Sequence, residues 1–292
     1  MTAAQPGRDE PGRDAAGRPE WRTGVSELRG DVPFLYGYDL MEAAEAGVDF
    51  AAITLLAFTG EMPTQEQSRM ANAMLVLGAA HGISPTGAIS RILAASGVPI
   101  QVSVGAATLS IGDYHGGAGE QLGRALQEAR ERRPPGQPLR LAAEAVVEGF
   151  AAVGERVPGF GHPMHQGGDP RAPALLAMAD RLGVSGDFCE LAREVGSVLS
   201  ERKGREIALN VNGACCAILG DLGVSWRFMR VFNITSRAPV LGALAVEEIE
   251  RERRWRMTAS GDDVVYDGPA PRPVPPGWRS APGRADRTGE SC

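Results

Sequence analysis

Four histidines are the residues of this chain best suited to acid–base chemistry. His81, His115, His162 and His165 all lie at glycine- or proline-marked breaks between predicted helices. Imidazole transfers protons readily near neutral pH. Side chains at helix ends can also lie beside unpaired backbone N–H groups, which favour bound carboxylates and phosphates. One such histidine would more often be structural, but four in such positions indicate a site for proton transfer and anion binding.

Metal binding is the competing interpretation of the histidines. His162 and His165 are three residues apart, but Pro163 between them disfavours a regular helix, and no carboxylate completes a familiar zinc ligand set. The cysteines lack the C-x-x-C spacing of a zinc site and are expected to be reduced thiols. They are Cys189, Cys215, Cys216 and Cys292. We therefore expect no metal.

The elements that must position these residues are mainly helices. Thr64-Gln65-Glu66-Gln67 has the pattern of a capping box, and apolar residues follow at helical spacing until a stop near His81-Gly82. Ser84 and Pro85 suit the start of the next helix, and Pro239 is expected to interrupt a late one. Further helices are predicted at 100–111, 117–133, 139–150, 169–182, 187–203, 211–222 and 241–251, and strand-like runs within 25–38.

Composition indicates a globular domain between two tails. The 292 residues are 43% hydrophobic and carry a net charge of −6, which supplies a core and gives no basic footprint for nucleic acid. No apolar run approaches the roughly 20 residues of a membrane-spanning helix, and no signal-like segment opens the sequence. We therefore expect a cytoplasmic protein without membrane partners. We predict a helical domain at 21–267 between Gly-, Pro- and Arg-rich mobile tails at 1–20 and 268–292.

Five segments give the sequence a resemblance to the citrate synthase superfamily. In chain order they are Ala80 to Thr86, Gly112 to Glu120, Val157 to His162 continued by Asp169-Pro170-Arg171, Leu209 to Gly213, and Ser236 to Pro239. About one helix separates Pro63-Thr64 from His81, so the sequence resembles the compact form found in citryl-CoA lyase and the C-terminal module of ATP-citrate lyase. The resemblance implies a mainly α, citrate synthase-like fold with a reduced large domain, and a homodimer.

The resemblance also implies a reaction and a role for each site residue. The reaction would join acetyl-CoA to oxaloacetate to give citrate, or cleave citryl-CoA, with the coenzyme A thioester as a substrate and no permanently bound cofactor. His115 would hydrogen-bond the thioester carbonyl, His162 the carbonyl that becomes the alcohol, and His81 the oxo- or hydroxy-carboxylic acid. Arg171 and Arg237 would hold carboxylates as planar forks. The CoA-binding segment would be Val157, Pro158, Gly159, Phe160 and Gly161.

Asn212 departs from the family pattern, because it stands where the family has the aspartate that removes the methyl proton. An amide cannot accept that proton at neutral pH. His165 or Asp113 could act as the base, the enzyme could use a different thioester, or the chain could be a catalytically impaired protein that still binds CoA thioesters or carboxylates. A thioester hydrolase is disfavoured, because no serine or cysteine nucleophile motif accompanies the histidines. The residues alone leave these alternatives open.

Overall fold

The computed structural model of the protein describes residues 22–161 and 169–252, and also 265, 267–273 and 275. The chain divides into two compact units, residues 1–255 and 256–292. The assigned helices and strands lie in the first unit, and the described residues of the second form neither. The predicted N-terminal tail, most of the predicted C-terminal tail, His162 and His165 lie outside the described residues. The zinc alternative and the domain boundaries stay predictions.

The first unit opens with a small antiparallel sheet. Strands β1 (Ser26–Arg29), β2 (Val32–Leu35) and β3 (Tyr38–Asp39) pair in the order β1-β2-β3. Asp39 ends the sheet and caps the first helix, since its carboxylate accepts hydrogen bonds from the backbone N–H groups of Met41 and Glu42. The strand prediction for 25–38 is confirmed.

The other assigned elements of the first unit are helices, which confirms the mainly α fold class. They are α1 (Leu40–Glu45), α2 (Phe50–Thr59), α3 (Gln65–Gly78), α4 (Pro85–Ala95), α5 (Ile100–Leu109), α6 (Ala118–Arg132), α7 (Leu139–Ala152), α8 (Arg171–Leu182), α9 (Asp187–Lys203), α10 (Val211–Asp221) and α11 (Met229–Arg251), with a 3-10 turn at Trp226–Phe228 before α11. No helix in the described ranges is long and apolar enough to cross a membrane.

Local sequence signals fix the ends of several helices. The capping box is confirmed, because Thr64 Oγ1 accepts from the Gln67 backbone N–H at 3.2 Å and Gln67 Oε1 accepts from the Thr64 N–H at 2.8 Å. Pro85 begins α4 as predicted, but Ser84 Oγ pairs with a neighbouring hydroxyl and does not cap the helix. Helix α3 ends at Gly78, earlier than predicted, so His81 lies in the loop between α3 and α4.

The interruption expected at Pro239 was wrong, because α11 runs unbroken through it from Met229 to Arg251. Proline in a helix removes one hydrogen bond and costs about 3 kcal/mol. Helix α11 packs against α3, α4, α5 and α6 and buries Phe232, Leu241 and Ala245. Each large buried side chain contributes about 1.5–3 kcal/mol, so tertiary packing outweighs the local preference.

The core surrounds α10, which packs against α6, α8 and α9. Ala214, Cys216, Ala217, Ile218 and Leu219 of this helix are buried. Because its body is enclosed, its N-terminal turn, which carries Asn212, meets the loops that surround the site. The cysteines of the described ranges, Cys189, Cys215 and Cys216, are unbridged thiols, as predicted.

Candidate active site

One cavity of about 720 Å³ brings most of the predicted site residues together. His81, His115, Arg171, Asn212 and Arg237 all line it. They come from the α3–α4 loop, the loop before α6, and helices α8, α10 and α11. His162, also predicted for the site, lies outside the described residues. Residues more than 150 positions apart in sequence thus converge on a space of the size that small-molecule sites have.

Asn210 joins the glycine-rich segment to the start of α10. Its Oδ1 accepts from the backbone N–H groups of Asn212 at 3.0 Å and Gly213 at 3.2 Å, and its Nδ2 donates to the Gly161 carbonyl at 2.9 Å. The Asn210 backbone N–H also donates to the Gly159 carbonyl at 2.9 Å. These bonds satisfy free N–H groups at the helix end and fix where Asn212 meets the cavity.

Gly159 and Gly213 allow this close approach of two backbones. Gly159 has a φ of +82°, and a Cβ there would lie 2.7 Å from a Leu122 methyl and 3.0 Å from the Gly213 Cα. A Cβ on Gly213 would lie 2.4 Å from the Gly159 carbonyl oxygen. Neither position accepts a side chain without movement of the backbone.

Asp169 lines the same cavity and holds Arg171 in place. The Asp169 carboxylate is buried and accepts from Arg171 Nε and Nη2, both at 2.9 Å, and from the Arg171 backbone N–H at 3.1 Å. It also accepts from the Val211 N–H at 3.3 Å, at the start of α10. Burial acts to raise the pKa of Asp169, but the hydrogen bonds and charge of Arg171 outweigh it and hold that pKa below its ordinary value.

Arg237 is the cation of the cavity that remains open to an anion. It is half-buried on α11, and its Nη1 donates to Ser84 Oγ at 3.4 Å. No carboxylate pairs with Arg237 within the described ranges. Burial, and then the charge of Arg171, lower the pKa of Arg237. A bound carboxylate would pair with the Arg237 guanidinium and so offset both the loss of hydration and the repulsion by Arg171.

His115 is presented by a tight loop before α6. The His115 and Gly117 backbone N–H groups both donate to the Gly112 carbonyl at 3.0 Å, and Asn233 Nδ2 donates to the Gly116 carbonyl at 3.0 Å. Burial lowers the pKa of His115, and the charges of Arg237 and His81 lower it further. The imidazole is therefore neutral near pH 7 and can donate one N–H without carrying a charge.

Asp113, one of the two candidate bases, does not line this cavity. Its half-exposed carboxylate forms an ion pair with Arg230, which also donates to Glu120 Oε2 at 2.7 Å. Asp113 instead borders a second, larger space. The ion pair with Arg230 engages the Asp113 carboxylate outside the cavity that Asn212 lines. The other candidate, His165, lies outside the described residues.

The second cavity, of about 1,220 Å³, adjoins the first. Val157, Pro158, Phe160 and Gly161 of the predicted CoA-binding segment line it, whereas Gly159 packs beneath. Four arginines also line it, Arg124, Arg132, Arg133 and Arg156. The two cavities share Tyr114, Ala118, Gly161 and Asn210. An elongated ligand could therefore occupy both spaces at once.

Sequence reasoning did not assign roles to several residues that build the site. Asp169 was predicted only as part of a motif and a helix start, and its grip on Arg171 was not anticipated. The sequence placed Asn210 only in the same segment as Asn212. Asparagine is nevertheless a preferred N-cap residue, and its position directly before the predicted helix start at Val211 is a signal that could have identified its role. The arginines of the second cavity carried no signal in a chain so rich in arginine.

The chain matches a known protein family and is similar to solved structures. The family described as citrate synthase, C-terminal domain, matches residues 32–258. The chain is similar to the citryl-CoA lyase from Hydrogenobacter thermophilus at 34% identity and a TM-score of 0.79, over 87% of this chain and 97% of that one. The ATP citrate lyase from Methanothrix soehngenii, in complex with citrate and coenzyme A, shares the fold at 18% identity and a TM-score of 0.73, over 92% of this chain and 47% of that one.

A curated relative extends the comparison at the level of sequence. The citrate synthase of Haloferax volcanii is 29% identical over 239 residues, which cover 80% of this chain and 60% of that protein. The chain spans about half to three fifths of the length of the first curated relatives that it matches, 52% in one case and 60% in another.

Proposed function

Because the chain belongs to the citrate synthase family, as its histidine segments predicted, we propose that it makes or breaks the carbon–carbon bond between the acetyl group of a CoA thioester and a keto acid. The compact chain favours the citryl-CoA lyase form of this reaction, in which citryl-CoA is cleaved to acetyl-CoA and oxaloacetate; the reverse is condensation. The observation that carries the proposal is the single cavity lined by His81, His115, Arg171, Asn212 and Arg237.

In this proposal Arg171 and Arg237 bind the carboxylates of the keto acid. Arg237 offers a guanidinium that has no carboxylate partner in the described part of the chain, and Arg171 is held in one orientation by Asp169. Planar guanidinium groups match carboxylates in a bidentate manner. His81 borders the same cavity and would contact the acid as well.

His115 supplies the electrophilic contact in this proposal. Cleavage of the carbon–carbon bond leaves its electron pair on the acetyl fragment as a thioester enolate, so a donor at the thioester oxygen lowers the barrier. The neutral His115 imidazole can donate there, and the second cavity along Val157–Gly161 would hold the rest of coenzyme A. His162 keeps the role that the resemblance implies, as donor to the oxygen of the alcohol or ketone.

A homodimer belongs to the same proposal. Helix α5 exposes Val102 and Leu109, which are seven residues apart and therefore lie on one face of the helix; Leu109 is 87% exposed. Exposed apolar side chains on one helix face fit a surface that is covered in an assembled protein. Sedimentation as a stable monomer at micromolar concentration would contradict a dimer.

A cleavage assay tests the proposed reaction. Citryl-CoA is added to the protein, and oxaloacetate is detected by its reduction with NADH and malate dehydrogenase. Condensation of acetyl-CoA with oxaloacetate is followed separately as the formation of citryl-CoA, with free CoA thiol measured to detect any hydrolysis to citrate. Loss of the charge-assisted bonds of Arg237, worth about 1.5–3 kcal/mol, should lower kcat/KM of Arg237→Ala on the order of 10- to 100-fold. Arg205→Ala, an exposed arginine that lines neither cavity, is the matched control and should be unchanged.

A CoA-binding protein without turnover is the second candidate function. Asn212 favours it, because the amide in the cavity cannot act as the carbon base. Loss of a general base typically lowers a rate about 10²–10⁴-fold. Measurable CoA binding with no turnover of citryl-CoA, and none of acetyl-CoA with oxaloacetate, would establish this candidate and exclude the first.

A further inference from the structure

We propose that this site uses a CoA thioester whose α-carbon already bears a carboxylate, so that loss of CO₂, and not removal of a proton, generates the carbon nucleophile. The inference rests on the proposed function, since it requires that the two cavities bind a CoA thioester beside a keto acid. It gives Asn212 a positive role: its amide would hold the α-carboxylate until that group leaves.

Among the residues that the structure describes, the first cavity offers no carboxylate suited to act as the carbon base. Among its described lining residues Asp169 is the one acidic side chain, and its oxygens already accept four hydrogen bonds from Arg171 and Val211. Those donors hold the pKa of Asp169 low, which makes it a poor proton acceptor. A reaction that needs no base fits these residues better than one that removes a methyl proton.

The surroundings of Asn212 favour decarboxylation. Asn212, Cys215, Cys216 and Leu219 follow the i, i+3, i+4, i+7 spacing of one helix face, and all four line the cavity. Burial raises the pKa of Cys215 to about 12, so this thiol is neutral. On this helix face an α-carboxylate would meet one amide donor, two thiols and an apolar side chain, while the charge of Arg171 reaches Cys215 from the same cavity. The amide would hold the carboxylate without a formal charge of its own, and the transition state for loss of CO₂ disperses the charge of the carboxylate.

The Asn212 amide is free to make this contact. Its backbone N–H is used by Asn210, but its side chain makes no hydrogen bond within the ranges that the structure describes. An aspartate at this position would repel an α-carboxylate, and like charges ~4 Å apart near a protein surface repel by enough to weaken binding about tenfold or more. The asparagine removes that repulsion while it keeps the size of the side chain.

The proposed step balances as follows. The bond between the α-carbon and the carboxyl carbon breaks, CO₂ leaves without the electron pair, and the pair forms the thioester enolate that His115 stabilises. The enolate carbon adds to the ketone carbon of the keto acid, and the resulting alkoxide takes one proton, ultimately from water. For malonyl-CoA and oxaloacetate the products are citryl-CoA and CO₂, with one proton consumed.

The test uses the full chain with malonyl-CoA labelled with carbon-13 in its free carboxyl group, because oxaloacetate itself loses unlabelled CO₂. Labelled CO₂ and citryl-CoA are measured with oxaloacetate present, and acetyl-CoA is run in parallel. We expect malonyl-CoA to exceed acetyl-CoA in kcat/KM by at least about tenfold in the natural protein. Asn212→Asp should reverse the preference, and Asn72→Asp, the same change at an exposed position outside both cavities, should leave it alone.

The comparison within the natural protein decides the outcome even where Asn212→Asp fails to fold. Faster turnover of acetyl-CoA than of malonyl-CoA would overturn the inference and leave the proposed function standing. So would a folded Asn212→Asp protein with an unchanged ratio. Turnover of neither thioester would overturn the inference; if citryl-CoA were not cleaved either, with CoA still bound, the binding protein would be favoured. Failure to bind CoA at all would remove the proposed function and this inference together.

Discussion

Breaking the buried pair of Asp169 and Arg171 should cost several kcal/mol of stability, and Asp169→Asn tests this. Each carboxylate oxygen accepts two hydrogen bonds, Oδ1 from the Arg171 backbone N–H and Nε, and Oδ2 from Arg171 Nη2 and the Val211 N–H. An amide NH₂ in either place would face two donors. Charge-assisted hydrogen bonds contribute about 1.5–3 kcal/mol each, and breaking a buried ion pair costs about 3–5 kcal/mol. We expect a loss of about 3–5 kcal/mol in the free energy of unfolding.

Urea unfolding at pH 7 measures this loss, and Asp180→Asn is the matched control. Asp180 also accepts two hydrogen bonds from one arginine, Arg193, at 2.8 and 2.9 Å, but its side chain is 52% exposed. An exposed ion pair contributes about 0–1 kcal/mol. If Asp169→Asn lost no more than Asp180→Asn, the view that the buried carboxylate organises this side of the cavity would be wrong.

The same pair predicts a dependence on pH. The pKa of Asp169 in the folded protein lies below its ordinary value of 3.8, so its contribution is present above that value and disappears as the pH falls through the lower, folded pKa. The difference in unfolding free energy between the natural protein and Asp169→Asn should therefore be full at pH 7 and shrink below about pH 4. A difference that stays constant over this range would mean that the pair contributes no charge-dependent stability.

Three further predictions concern other parts of the site and its scaffold. Gly159→Ala should lower the free energy of unfolding in urea by about 2–4 kcal/mol, because its Cβ would lie 2.7 Å from a Leu122 methyl group. Gly136 is the control: it has a similar φ of +81° but open space around it, so Gly136→Ala should cost only about 1 kcal/mol. Arg91→Ala should lower the unfolding free energy by about 3 kcal/mol, since Arg91 Nε donates at 2.6 Å to the buried Glu248; a change under about 1 kcal/mol would contradict this. His115→Gln should lower kcat on the order of 10²-fold. Because the pKa of His115 in the free protein lies below its ordinary value of 6.5, the acidic limb of the kcat/KM profile that depends on His115 should lie below pH 6.5 and vanish in the variant.

Local signals predicted most elements of the fold, and tertiary packing accounts for the main miss. The capping box at Thr64 fixes a helix start through hydrogen bonds between residues three apart, and Pro85 fixes the next through its restricted φ. Both signals are local, so the sequence alone encodes them. Pro239 is different: its local preference is outweighed by the burial of Leu241 and Ala245 against distant helices, and periodicity does not report those partners.

The candidate site was predictable in its members but not in its construction. The histidines and arginines were found because their neighbours form recognisable segments, and the structure brings His81, His115, Arg171 and Arg237 around one cavity. The Asp169–Arg171 contact and the ties from Asn210 to the glycine-rich segment depend on side-chain directions that only the folded chain fixes. For the same reason the sequence could not show that Asp113 is held by Arg230, outside the cavity of Asn212.

The residues that build the walls of the cavity differ from Asn212, the residue proposed to determine its reaction. Asp169, Asn210 and Gly159 each hold two chain segments together, so their replacement would disturb the cavity itself. The Asn212 side chain makes no hydrogen bond in the described part of the chain, and it belongs to a helix turn that Asn210 already caps. An aspartate and an asparagine can therefore occupy this position on the same scaffold, and the choice between them changes the charge in the cavity and the chemistry it permits without changing its walls.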